Sequence, residues 1–147
     1  MSSHSLLKHT MKFINPTGLY DPRPNGYSHI VVAETPARII YIAGQGGENA
    51  HGELSEDFKT QVEQALRNLQ TALDAAGARH THVSKVTAMI VDHSEARLGV
   101  FSSALRTMWG DDPAPACTLI PVPRLALDGM LFEIEATAVQ QMDDEIY

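Results

Sequence analysis

Cysteine occurs once in the 147 residues, tryptophan once, and aromatic residues make up only 6% of the chain. A single cysteine excludes an internal disulfide framework and fits a reducing compartment, which points to the cytoplasm. No apolar run approaches the 18 residues that a membrane-crossing helix needs. The first residues, "MSSHSLLKHTMKF", lack an uninterrupted apolar stretch and so do not read as a signal peptide. Met11 offers an alternative start, which would make residues 1–10 an extension.

Positive charge is also scarce. Eleven Lys and Arg stand against eighteen Asp and Glu, for a net charge of −7. Phosphate neutralisation supplies most nucleic-acid affinity, and the basic residues here are dispersed rather than gathered in a patch. Nucleic acid is therefore not expected as the main partner. Glycines cluster in "GQGG", yet the lysine and hydroxyl residue of a phosphate loop do not follow. The seven histidines, among them His80, His82 and His93, show no metal-binding spacing and have no cysteine pair beside them. They read as loop residues, and no metal or other cofactor is implied.

What is present is ordinary globular composition, 44% apolar and 20% charged. The length fits one domain, residues 1–147, with residues 1–14 as an extension and a first strand. The run "NPTGLYDPRPNGY" reads as loop. "SHIVVAE" and "ARIIYIAGQ" are β-branched runs, expected as neighbouring antiparallel strands. A helix follows, with Ser55 as the expected cap and Phe58, Val62, Leu66, Leu69 and Leu73 on one face. Gly77 is its natural stop. "HVSKVTAMIVD" is a strand, and a second helix runs from about Glu95 to Trp109. "CTLIPV" and "MLFEIEATAV" close the chain as strands, the first irregular or at an edge because of Pro121 and Pro123. The expected fold is α+β, a mixed sheet with both helices on one face. Glu133 and Glu135 are expected to face opposite sides of the last strand, so that at most one reaches a given cleft.

The ordered set "YIAGQ", "ALRNLQTALDAAGA", "VTAMIVD", Pro115-Ala116 and "EIEATAV" resembles the Rid (YjgF/YER057c/UK114, RidA-like) family, from about Tyr27 to Val139. The resemblance implies a chorismate-mutase-like fold, a homotrimer with a barrel core, and small-molecule clefts between subunits. It also implies hydrolysis of 2-imino or 2-enamino acids to 2-keto acids and ammonia. By position it places the cleft tyrosine at Tyr27, the strand-end Ser-Gly step at Ala43 and Gly44, and the acidic residue at Glu133. The family's carboxylate-binding arginine falls on Cys117, and a cleft amide falls on Val100, so both groups are missing here. A planar guanidinium fork is not replaced by a thiol.

Each of these residues also has a plainer reading. Glu133 would position a hydrolytic water, or face solvent as a strand carboxylate. Cys117 would pack as a small hydrophobe or line the pocket; as a nucleophile it would need nearby positive charge, which "PAPACTL" does not supply. Tyr27 would close the cleft or stack on a neighbour, and Gly44 would admit a ligand or end a strand. Arg124 would act as a substitute anion partner or remain a surface residue. Two functions stay open: an imine, enamine or carbonyl hydrolase of altered range, and a non-catalytic small-molecule-binding or regulatory trimer on the same scaffold. The endoribonuclease or translation-inhibitor activity for which many members are named agrees poorly with the acidic balance.

Overall fold

The computed structural model describes residues 11–142; the possible start at Met11 turns on residues that lie outside this range. The chain runs β1 (Lys12–Ile14), β2 (Ile30–Val32), β3 (Ala37–Gly46), α1 (Phe58–Ala75), β4 (Val83–Val91), α2 (Glu95–Trp109), β5 (Ala116–Val122) and β6 (Phe132–Gln141). Short 3-10 turns precede β2 and β4. Strands β3, β6, β4 and β5 form a mixed sheet in that order. Only β4 and β5 are parallel, joined by the α2 crossover, and all other pairs are antiparallel. The α+β fold with both helices on one face is as the sequence implied.

The apolar period of α1 buries Phe58, Val62, Ala65, Leu66, Leu69 and Leu73 against β3 and β6. From β6, Phe132, Ile134, Ala136 and Ala138 point into this layer, and α2 adds Phe101, Leu105 and Trp109. Phe132 is fully buried, with Phe58 edge-on at 6.1 Å and Phe101 tilted against it at 5.4 Å. Beyond α1, Gly77 adopts φ +72°, the left-handed backbone that ends the helix.

Four expectations need correction. The strand containing Ile30–Val32 does not pair with β3. It pairs with β1 in a separate two-stranded sheet, while β3 takes the distant β6 as its partner. Ser55 does not cap α1. Asp57 does, accepting from the Thr60 N–H at 3.0 Å, while the Ser55 hydroxyl accepts from the Asp57 N–H one step earlier. Glu133 and Glu135 share one face of β6, because side-chain direction repeats every two residues. Finally, Val100 lies in a groove between α1 and α2, beside Leu66, Ala104 and Met108. An amide there would be separated from the Glu133 side of the sheet by a full layer.

Strand β5 is an edge strand, in keeping with Pro121. Its free side is met by a single parallel bridge between Ser28 and Ala116. The sheet face away from the helices carries Ile39, Tyr41 and Ile120, all substantially exposed, together with Lys85, Thr87, Glu133 and Glu135.

Candidate functional site

Between Ile42 and Gln45 the β3–β6 register slips, so Ala43 and Gly44 form a bulge opposite the start of β6. The Glu133 side chain folds across that bulge. A Cβ added at Gly44 would lie 2.7 Å from the Glu133 carboxyl carbon, so a side chain there would displace the carboxylate from this position. Ala43, Gly44 and Glu133 are thus brought together by one chain.

Two amides on α1, seven residues apart, hold this corner. Asn68 Nδ2 donates to the carbonyls of Gly46 (2.9 Å) and Glu48 (2.8 Å), fixing the chain where it leaves β3. Gln61 is fully buried; its Nε2 donates to the Ser55 (2.7 Å) and Gly129 (2.9 Å) carbonyls, and its Oε1 accepts from the Leu131 N–H at 2.8 Å. That set fixes the entry into β6, two residues before Glu133. Gly47 packs directly on Gln61, where an added Cβ would come within 2.6 Å of its Cα. The "GQGG" run therefore serves close packing against a helix. Neither amide was singled out from the sequence, where polar residues on an amphipathic helix look like its wet side.

Tyr27 and Cys117 make a second group. Ser28 donates its N–H to the Pro115 carbonyl at 2.9 Å and its hydroxyl to the Ala114 carbonyl, which lays the Tyr27 loop along the start of β5. Tyr27 stacks edge-on with Tyr20 and His29, and its hydroxyl hydrogen-bonds the Tyr20 hydroxyl. Cys117 is in register with buried Val86 and Ala136, so its side chain faces the helix layer and packs on the core. Burial pushes its thiol up to about 11, only partly offset by Lys85. At neutral pH the native thiolate is therefore much scarcer than in an unfolded chain. A thiol-disulfide reagent at pH 8 is therefore expected to react far more slowly with native protein than with urea-unfolded protein. Comparable rates would show an accessible, activated thiol.

Arg124, His80 and His82 are engaged locally, whereas the buried Nδ1 of His93 has no partner among the described residues. Arg124 pairs with Asp128 at 2.9 Å on the surface. His80 bonds Asp112 at 2.8 Å, and His82 accepts the Arg79 N–H through Nδ1 at 3.0 Å. Burial lowers the His82 pKa, which favours its neutral form. Among the described residues, no group of three or more His, Cys, Asp or Glu is placed to hold a metal ion. None of the described helices is long and apolar enough to cross a membrane.

One chain does not unite its two groups. Glu133 and Cys117 stand on strands separated by β4, three residues out of register and on opposite faces of the sheet. Strand spacing and rise put them roughly 15 Å apart, and Tyr27 farther still.

Comparison with known proteins matches residues 21–140 to the Endoribonuclease L-PSP family. The rat protein named 2-iminobutanoate/2-iminopropanoate deaminase is 34% identical over 78% of this chain and 80% of its own length. Its human namesake is 30% identical over 92% and 93%. Among solved structures, a Rid-family protein of unknown function from Yersinia pestis superposes with a TM-score of 0.84 at 37% identity, covering 88% of this chain and 98% of that one. RidA from an Antarctic Psychrobacter gives a TM-score of 0.63 at 29% identity over 76% and 86%. With a bulge-held carboxylate at the end of its sheet and relatives aligned along most of its length, the chain belongs to the Endoribonuclease L-PSP family, the family of the Rid proteins.

Proposed function

We propose that this protein hydrolyses a small imine, enamine or related carbonyl compound at clefts between subunits of a homotrimer, with Glu133 as the group that positions and deprotonates water. One observation carries the reading: the Glu133 carboxylate is lodged over the Gly44 bulge, on a sheet face whose exposed Ile39, Tyr41 and Ile120 suit burial against another copy. Deaminases among its relatives support the choice of reaction. In that reaction water adds to the imine carbon and gives its proton to Glu133. Nitrogen takes a first proton from solvent and a second from Glu133; as the carbon–nitrogen bond breaks, Glu133 accepts the hydroxyl proton and returns it to solvent, leaving a carbonyl compound and ammonia. Tyr27 and the backbone at Ala43, Gly44 and Cys117 line the cleft and orient the ligand. Residue 117 offers no guanidinium, and its thiol turns toward the core, so a neutral substrate or a carboxylate held by another group is favoured. A cytoplasmic, reducing setting suits the lone thiol.

The test is ammonia release from a panel of imines formed in situ, neutral ones included. Acceleration by the native protein supports hydrolysis, and its absence across the panel removes it. The missing arginine gives the second reading its specific support: a binding or regulatory trimer would be stabilised against heat by a ligand without turning it over.

A further inference from the structure

The loop carrying Tyr27 and the end of α2 enclose a cavity of about 400 Å³, within the range of small-ligand sites. Its charged lining consists of Arg23, Arg106, Asp111 and Asp112. Two of these four are already engaged. Arg23 pairs with Asp21 at 2.9 Å, and Asp112 receives His80 at 2.8 Å. Arg106 and Asp111 form no ion pair with any described residue, which leaves one cation and one carboxylate on the same wall system. Arg106 is also set in place: its guanidinium donates through Nη1 to the Pro24 carbonyl, and its Cγ lies where a Cβ at Gly26 would come within 3.4 Å. Gly26 has φ +82°, so its lack of a side chain serves both the turn and the arginine stem. Nearby, the buried indole N–H of Trp109, another lining residue, has no partner among the described residues.

We infer that this cavity binds a small α-amino acid, its carboxylate on Arg106 and its ammonium on Asp111. A guanidinium held by one N–H and making no other hydrogen bond to a described residue suits a carboxylate. The nearby acid favours a zwitterion over a simple anion. The cavity lies within one chain, on the far side of β5 from that chain's Glu133; Tyr27 stands in its wall as well as in the proposed hydrolytic cleft, so the two would be neighbouring sites with different anchors.

Titration calorimetry of the full chain with L-alanine, propionate and propylamine tests it. L-Alanine is expected to bind more tightly than either single-charge probe. Arg106→Gln is expected to weaken L-alanine and propionate about tenfold or more, a loss near 1.4 kcal/mol. Asp111→Asn is expected to weaken L-alanine while sparing propionate, and because Asp111 is exposed this variant keeps the test open should Arg106→Gln fold poorly. Glu133→Gln is expected to leave L-alanine affinity unchanged, which separates this site from the hydrolytic one. No binding of L-alanine, or binding unaltered by both Arg106→Gln and Asp111→Asn, would overturn the assignment.

Discussion

Glu133→Gln is expected to lower imine hydrolysis by about 10²–10⁴-fold, the usual contribution of a positioned general base. The amide keeps the size of the carboxylate, so it still fits over Gly44 and the fold should be undisturbed. It accepts a hydrogen bond but takes no proton from water. The loss should therefore fall on kcat, with KM little changed. Gly44→Val would reach the same end by another route, because its side chain needs the space the carboxylate fills. Steady-state kinetics on the best imine of the panel, beside circular dichroism of both proteins, provides the check. Equal rates for native and Glu133→Gln protein would mean that Glu133 is a strand carboxylate and no more.

The largest stability effect is expected at Gln61. Gln61→Leu removes three hydrogen bonds at once and leaves the carbonyls of Ser55 and Gly129 and the N–H of Leu131 without their protein partner. Each buried polar group left unsatisfied costs about 1–3 kcal/mol. Some of the three will regain water near the surface, so a net loss of about 3–5 kcal/mol is expected. For a domain of this size that is a fall in Tm on the order of 10 °C or more. Because Leu131 leads into β6, surviving folded protein should also place Glu133 less firmly and turn over more slowly. Thermal and urea unfolding read the first effect, and kinetics below the transition read the second. A change under 1 kcal/mol would show that the three backbone groups are satisfied without Gln61.

The helices were legible in the sequence because their signals are local. Phe58, Val62, Leu66, Leu69 and Leu73 mark a stripe that only a helix makes contiguous, and Gly77 ends it. Strand partners were not legible in the same way. Ile30–Val32 and Ala37–Gly46 are adjacent in sequence and equally apolar, yet each pairs elsewhere, since β3 gains a longer ladder and a buried face from β6. The start of α1 was misplaced by two residues because Ser55 and Asp57 can both cap, and only the geometry selects Asp57. The meeting of Gly44 with Glu133 depends on a bulge, and that of Tyr27 with the Cys117 strand on one bridge at Ser28. Neither has a sequence pattern of its own. The groups that fix the site's frame, Gln61 and Asn68, stayed hidden because an amide facing a core differs from one facing water only in its partners.

The separation of the Glu133 group from the Tyr27 and Cys117 group within one chain makes the two-subunit cleft the centre of the proposed function. Subunit mixing addresses it most directly. Glu133→Gln chains, intact at Tyr27, are unfolded and refolded together with Tyr27→Ala chains, intact at Glu133, and imine hydrolysis is measured. Shared clefts should restore activity well above the sum of the two variants, because some mixed trimers pair an intact Glu133 with an intact Tyr27 from its neighbour. Activity no greater than that sum, in a preparation shown to contain mixed assemblies, would contradict a site built from two chains.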